Sequence, residues 1–155
     1  MRYEFGLLAA GAGVLGLVGW FVSQDKAQAT GLLPYTDPVA VAAGRDIYTE
    51  YCAACHGADL EGEPNWREQD AEGYLPAPPH DPSGHTWHHP DEQLFLITKY
   101  GTEALVGNGY RSRMQGFGDV LDVQDILNVL AYIKSTWPGP VAESHNQRNI
   151  QAAQN

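Results

Sequence analysis

The sequence has little cysteine, little methionine and little positive charge. Two of its 155 residues are cysteines, two are methionines and nine are lysine or arginine, against 19 aspartates and glutamates. Two cysteines allow at most one disulfide, one redox pair or half of a metal site. The formal net charge of −10 argues against a nucleic-acid partner, because phosphate binding needs clustered lysine and arginine.

Acidic side chains are densest between positions 59 and 72, where Arg67 is the one base. Two interpretations of this segment are open. An acidic surface favours docking on the basic face of a partner protein, and it also keeps a protein soluble in salty surroundings. Solubility is the simpler of the two.

The N-terminus carries an apolar segment at residues 5–22, which contains no charge. Its length is at the lower limit for a helix that spans the hydrocarbon core of a membrane. Trp20 falls where aromatic side chains favour the membrane interface, and Arg2 favours a cytoplasmic N-terminus. These features predict a membrane anchor or signal sequence over residues 1–22, with the rest of the chain on the outer side.

A cleavage signal follows this segment. The tripeptide Ala27-Gln28-Ala29 fits the small-x-small pattern at which signal peptides are removed. A retained anchor would make the protein a single-pass inner-membrane protein whose main domain faces the periplasm. A cleaved signal would make it soluble and periplasmic. The length of the segment and Trp20 favour the anchor.

Three segments combine helical spacing of apolar residues with helix-start signals. The helices are expected at residues 39–51, at residues 91–100 and after Asp122. Asp37 and Pro38 form a capping residue and a first helical position. Asp122 and Asp125 have the spacing of a capping box. No segment favours a strand, so the pattern predicts an all-α domain of three main helices over residues 37–138.

The segments around this domain are polar or irregular. A polar linker is predicted over residues 23–36, and a disordered tail over residues 139–155. Inside the domain, residues 57–90 show no periodicity and contain several prolines: Pro64, Pro76, Pro78, Pro79, Pro82 and Pro90. So long an irregular stretch is unusual unless something besides secondary structure orders it, and a large apolar cofactor would do so.

The two cysteines lie in the sequence Cys52-Ala53-Ala54-Cys55-His56. A C-x-x-C-H sequence is typical of covalent haem attachment. Near the end of a helix, two cysteines at this spacing reach the two vinyl groups on one edge of the porphyrin and form thioethers. The adjacent histidine then binds the iron from the proximal side.

Two other interpretations compete with haem at this motif. A thioredoxin-like redox pair belongs at the start of a helix that follows a strand, whereas this motif ends a predicted helix. A zinc site would need a second pair of ligands, and the sequence has no further cysteine, although histidines are present. Haem attachment is the interpretation that the pattern favours.

Residues 39–137 resemble the class I c-type cytochromes, in particular bacterial, membrane-anchored members with one haem. Gly44, Tyr48 and Cys52 are spaced by four residues, as in the N-terminal helix of that family. The resemblance implies that Gly44 lets the first and last helices cross closely and that Tyr132 packs at the crossing. It also implies one covalent haem c, held by Cys52 and Cys55 with His56 as the proximal iron ligand.

The family places a methionine between the second and last helices as the distal iron ligand. Met114 is the methionine at that position, although Gln115 stands where the family often has proline. Histidines compete for this role, since a histidine would give a haem of lower potential. They are His80, His85, His88, His89 and His145. The first four could also hold copper or zinc, or simply bond to the loop. The carbonyl of Pro78 or Pro79 is expected to orient His56.

The expected function is single-electron transfer by the haem, without enzymatic activity. The expected partners are a membrane oxidoreductase that donates electrons and a terminal oxidase or soluble reductase that accepts them. One alternative is a haem-based sensor or catalyst with an open iron site. Another is a copper-handling protein that uses the histidine-rich loop.

Overall fold

A computed structural model describes residues 31–154. Within this range the chain is helical and contains no β-strand, so the all-α prediction is confirmed. The helices are α1 (Pro38–Tyr51), α2 (Ala53–His56), α3 (Asp91–Tyr100), α4 (Thr102–Val106), α5 (Val123–Ser135) and α6 (Gly139–Ala152), with a single 3-10 turn at Thr86–His88. The three main helices of the prediction correspond to α1, α3 and α5.

The predicted membrane segment at residues 5–22 and the Ala27-Gln28-Ala29 tripeptide lie outside the described residues. Among residues 31–154, no helix is long and apolar enough to cross a membrane.

The start of two helices follows the capping residues that the sequence indicates. The carboxylate of Asp37 accepts a hydrogen bond of 2.9 Å from the backbone N–H of Val39 at the start of α1. At the start of α5, Asp122 and Asp125 each accept a bond from the backbone N–H of the other, which completes a capping box. Caps of this kind satisfy backbone donors that the first turn of a helix leaves unpaired.

Helices α1 and α5 cross at Gly44. A Cβ atom added to this glycine would lie 1.9 Å from the carbonyl oxygen of Asn128 on α5 and 3.0 Å from Cβ of Tyr132. The rings of Tyr48 and Tyr132 pack beside the crossing with centroids 5.5 Å apart. The close crossing at Gly44 and the place of Tyr132 are therefore confirmed. The crossing fixes the end of α1, where the cysteine motif begins.

The apolar core is built around α5. This helix buries one face made of Ile126, Val129, Leu130, Ala131 and Ile133. Side chains from the other segments complete the core: Leu33, Tyr48, Leu60, Leu94, Phe117, Leu121, Trp137 and Ala142. The core thus contains residues of the irregular segments, such as Leu60 and Phe117, as well as residues of the helices.

The C-terminal segment is ordered, and the prediction of a disordered tail over residues 139–155 is wrong. Residues 139–152 form α6, which begins after Pro138. The face that α6 buries consists of Ala142, His145, Asn146 and Asn149. Three of these four residues are polar, so the buried face has no apolar pattern that the sequence analysis could detect.

The last six residues of the polar linker predicted over residues 23–36 pack on the domain and do not simply connect to it. One carboxylate oxygen of Asp91 accepts hydrogen bonds from the backbone N–H groups of Leu32, at 2.7 Å, and Leu33, at 3.2 Å. The Leu33 side chain is buried in the core. The chain is therefore fixed to the start of α3 before α1 begins.

His145 on α6 lies at the centre of a buried polar cluster. Its Nε2–H donates to the carbonyl of His89 at 2.9 Å and lies 3.4 Å from a carboxylate oxygen of Asp91. Among the described residues, no group pairs with its Nδ1. Burial, which is the largest cause, and the nearby charges of Lys134 and Arg148 together lower the pKa of His145 to about 4, and Asp91 and the bond to His89 partly oppose them.

The burial of His145 predicts a loss of stability in mild acid. Since the folded pKa of about 4 is below the ordinary value of 6.5, the unfolded chain takes up the proton first. The stabilisation is complete above pH 6.5 and falls as the pH approaches 4. At about 1.4 kcal/mol per pKa unit, the free energy of unfolding should drop by about 3 kcal/mol across this range.

Urea unfolding of the haem-loaded protein at pH 7 and pH 4 measures this loss. The matched variant is His145→Gln, whose amide can donate to the His89 carbonyl but does not titrate. It should lose less stability than the wild type between the two pH values. His88→Gln, at an exposed position, is the control and should behave as the wild type does. Equal losses in the wild type and in His145→Gln would contradict the prediction.

Candidate haem site

The two cysteines lie at the junction of α1 and α2. Cys52 occupies the break, and its backbone N–H still bonds to the carbonyl of Tyr48 at 2.9 Å. The short helix α2 then carries Cys55 and His56 and ends at Gly57, whose positive φ of 83° allows the chain to turn away. Both cysteines are free thiols, with Cys52 partly buried and Cys55 exposed.

His56 is buried and has a fixed tautomer. Its Nδ1 lies 2.8 Å from the carbonyl oxygen of Pro78, which can only accept, so Nδ1 carries the proton. The second ring nitrogen, Nε2, is therefore the one with a free lone pair for a metal. Burial lowers the pKa of His56 and keeps the imidazole neutral, which is the form that binds iron. Of the two prolines expected to orient this ring, Pro78 is the one that does.

The thiol chemistry does not fit a thioredoxin-like pair. Reactive cysteines of that kind have a lowered pKa. Burial raises the pKa of the Cys52 thiol to about 11, and the neighbouring Cys55 adds to the increase. In addition, the element that precedes the motif is a helix, α1, and not a strand.

A zinc or copper site is not supported either. Across residues 31–154, no group of three or more histidine, cysteine, aspartate or glutamate side chains is placed to hold a metal ion. The histidines of the loop contact aromatic rings and hydrogen-bonding groups instead. His85 stacks on Trp66 with centroids 5.3 Å apart, and His88 lies 3.8 Å from the ring of Trp87.

The loop at residues 57–90 folds back on the end of the cysteine motif. Backbone N–H groups bond across it from Gly62 to the carbonyl of His56, from Glu63 to that of Ala77 and from His80 to that of Leu60, each at 2.8 Å. The indole N–H of Trp137 adds a bond of 2.8 Å to the carbonyl of His80. These bonds bring Pro78 within reach of His56.

His80 contacts His56 directly. Its ring stacks on that of His56 with centroids 4.0 Å apart and an interplanar angle of 22°. Burial, together with the neighbouring His56, lowers the pKa of His80 well below its usual value. Stacked rings this close leave no space for a flat cofactor between them, so His56 and His80 would not hold one haem from opposite sides. The arrangement does not fit His80 as the distal ligand.

Met114 lies on a segment that pairs with the end of α3. An isolated antiparallel bridge joins Gln115 to Gly101, and the Met114 carbonyl accepts a bond of 3.3 Å from the N–H of Thr102. The N–H of Met114 donates to the hydroxyl of Ser112 at 3.0 Å. The Met114 side chain is partly buried and packs against the same core cluster as Cys52. The segment is thus held in place at the methionine.

Arg113 connects the methionine segment to the acidic loop. Its guanidinium forms ion pairs with Asp70 at 2.5 Å and Glu72 at 2.8 Å and lies over the ring of Tyr74. All three charged groups are partly or fully exposed, so the pairs contribute little to stability. They nevertheless show that part of the acidic segment is neutralised within the molecule. Sequence reasoning missed this link because more than 40 residues separate its ends.

The donor set at the cysteine motif fits a covalently bound haem. It offers two free thiols, one of them exposed, and a neutral imidazole whose Nε2 is available. The model of the cytochrome c family matches residues 41–137, which is more than half of the chain. Comparisons with curated proteins and with solved structures find no match. The chain belongs to the cytochrome c family, and it is accordingly an electron carrier whose cofactor is covalently bound haem c.

Proposed function

We propose that this cytochrome carries single electrons outside the cytoplasm, between a membrane oxidoreductase and a terminal oxidase or soluble reductase. In this proposal Cys52 and Cys55 form the thioethers, His56 is the proximal iron ligand and Met114 is the distal ligand. The observation that carries the proposal is the bond from Nδ1 of His56 to Pro78, which leaves Nε2 for iron. Haem supplies the redox chemistry, and the protein positions and tunes it.

Pro78 acts on His56 in two ways. The bond to its carbonyl holds the ring in one orientation and one tautomer, and it makes Nε2 more basic. A more basic ligand stabilises ferric iron over ferrous iron. The loop that carries Pro78 also buries His56, which is 7% exposed, and so keeps water from the proximal side.

Met114 supports a haem of higher potential. A thioether is a soft ligand that favours ferrous iron, so its effect opposes that of a basic histidine. Met114 is the only methionine of the sequence besides Met1. The N–H of Met114 bonds to Ser112 within the same segment, and the Met114 carbonyl accepts a bond from the N–H of Thr102, the first residue of α4. These bonds favour a ligand that stays in place in both oxidation states.

The location and the partners follow from the sequence rather than from the fold. The apolar segment at residues 5–22 supports export and an inner-membrane anchor, with soluble periplasmic protein as the outcome if Ala27-Gln28-Ala29 is cleaved. The net charge of −10 favours a partner with a basic docking face. Contacts with such partners are expected to be small and brief, as is usual for electron-transfer encounters.

The absorption spectrum of the purified, haem-loaded protein tests this assignment. The wild type should show a far-red ferric band from sulfur–iron ligation and sharp low-spin bands on reduction. Met114→Ala should lose the far-red band. Its potential should fall by an amount on the order of 0.1 V, since axial ligands vary haem potentials over about 0.8 V. Gln115→Ala, at the exposed neighbouring position, is the control and should keep both the band and the potential.

Other spectra would contradict the proposal in identifiable ways. A low-spin wild-type spectrum without the far-red band would indicate that a histidine, and not Met114, is the distal ligand. A high-spin spectrum would mean an open iron site and would turn the assignment toward a sensor or catalyst. An unchanged far-red band in Met114→Ala would remove Met114 from the iron.

A further inference from the structure

The imidazole of His80 is a partly buried aromatic ring to which the proposed iron ligation assigns no role. It stacks on His56 at a centroid distance of 4.0 Å and meets Tyr48 edge-on at 6.3 Å. It therefore covers one face of the ring that we assign as the proximal ligand. A side chain in this place restricts the rotation of the His56 ring.

His80 is held from several directions. Its backbone N–H bonds to the carbonyl of Leu60, and its own carbonyl accepts the indole N–H of Trp137, both at 2.8 Å. Its Nδ1 lies 2.8 Å from the hydroxyl of Thr86, a buried residue of the 3-10 turn. Backbone and ring are thus fixed independently, and His80 can hold its position without support from His56.

The two restraints on His56 are adjacent in the chain. The carbonyl of Pro78 accepts a hydrogen bond from Nδ1–H at the edge of the ring, and His80, two residues later, covers the face. A bond at one edge still permits the ring to tilt about that bond, whereas a flat group against the face opposes the tilt. The two contacts together define the plane of the imidazole.

We propose that His80 is a positioning residue for the proximal ligand, which fixes the plane of the His56 ring and thereby helps to set the haem potential. The inference rests on the proposed ligation of iron by His56. His80 donates no ligand to the iron. It acts through the ring it covers and through the bond to Pro78 that its position supports.

The direction of the effect follows from the polarity of the group. A polar ring beside the proximal ligand stabilises the more highly charged ferric site better than an alkyl group does. Loosening His56 also weakens the bond to Pro78, which makes His56 less basic. Both changes favour ferrous iron, so removal of the His80 ring raises the potential.

The experiment compares three variants of the haem-loaded protein with the wild type. His80→Leu removes the flat polar ring and should raise the potential. His80→Phe keeps a flat ring but no polar atoms, so it should raise the potential while retaining the orientation of His56. Thr86→Val leaves His80 in place but frees its ring, and it should raise the potential less than His80→Leu does. His85→Leu, which removes a loop histidine stacked on Trp66, is the matched control and should leave the potential unchanged.

Proton NMR of the ferric protein supplies a second readout, because the shifts of the haem methyl groups report the orientation of the axial imidazole plane. The methyl pattern should change in His80→Leu and return to the wild-type pattern in His80→Phe. An unchanged potential and methyl pattern in His80→Leu would overturn the inference. If that variant does not load haem, an unchanged potential in both Thr86→Val and His80→Phe would overturn the inference equally. Failure of the His56 assignment itself would show in the wild type, as a spectrum without a histidine-ligated low-spin haem.

Discussion

Replacement of both Cys52 and Cys55 by alanine is expected to abolish covalent haem attachment completely. Thioether bonds survive denaturation, whereas iron–ligand bonds are lost when the protein unfolds. Denaturing electrophoresis followed by haem staining therefore detects the thioethers alone. The wild-type band should stain, and the band of the double variant should not. Each single variant should retain one thioether and stain, with the pyridine haemochrome band shifted to longer wavelength by the vinyl group that stays unsaturated.

One of the two alanines between the cysteines supplies the control. Ala54 is exposed on α2 and lies inside the motif without contributing a thiol. Ala54→Ser should stain as the wild type does. Staining of the double variant would refute the assignment of the thioethers to these cysteines. Loss of staining in Ala54→Ser would show that attachment depends on the helix rather than on the thiols alone.

The parts of the fold that the sequence predicts well are those with a local signal. Helix α1 follows from Asp37 and Pro38, and α5 follows from its capping box and its apolar stripe. The close crossing at Gly44 was expected from the family resemblance, since a glycine in a helix carries no local sign of what it touches. In each case the interaction that sets the structure lies within one turn, or is shared by the whole family.

The parts that could not be predicted depend on contacts between distant residues. Helix α6 buries polar side chains, such as Asn146, which accepts a bond of 2.7 Å from the buried Lys134. From the sequence alone these polar side chains predict a solvated tail, because their partners lie on other elements. The sequence likewise predicts a linker at Leu32 and Leu33, because Asp91, whose carboxylate binds their backbone N–H groups, is almost 60 residues away.

The candidate site also contains residues that a local sequence signal identifies and residues that depend on contacts between distant parts of the chain. Cys52, Cys55 and His56 are adjacent in the chain, and a short pattern with a known chemical purpose identifies them. The family resemblance predicts that the carbonyl of Pro78 or Pro79 orients His56, and the structure shows that it is Pro78. The stacking of His80 on His56 gave no signal, because it arises from the path of the loop and from the hydroxyl of Thr86. The spacing of the loop histidines leaves a metal site open as one alternative, and their ring contacts, which the sequence does not show, do not support it.

Substitution of Gly44 by alanine is expected to destabilise the fold strongly. At an open position in a helix, alanine in place of glycine stabilises by roughly 0.5–1 kcal/mol. At Gly44 the new Cβ would lie 1.9 Å from the Asn128 carbonyl oxygen, which belongs to the backbone of α5 and cannot rotate away. The two helices have to move apart, and overpacking of this kind costs about 1–3 kcal/mol or more. Urea unfolding of the haem-loaded protein should show a net loss of about 2 kcal/mol.

Gly139 provides the matched control, since it is also a helical glycine and a Cβ there would meet nothing within 4 Å. Gly139→Ala should leave the free energy of unfolding unchanged or raise it slightly. The contrast between the two variants separates the effect of contact from that of helix propensity. Because α1 leads directly into Cys52, Gly44→Ala should also move the cysteine motif relative to α5 and lower the fraction of the protein to which haem becomes attached. Equal stability of Gly44→Ala and Gly139→Ala would mean that the helices do not need the close approach.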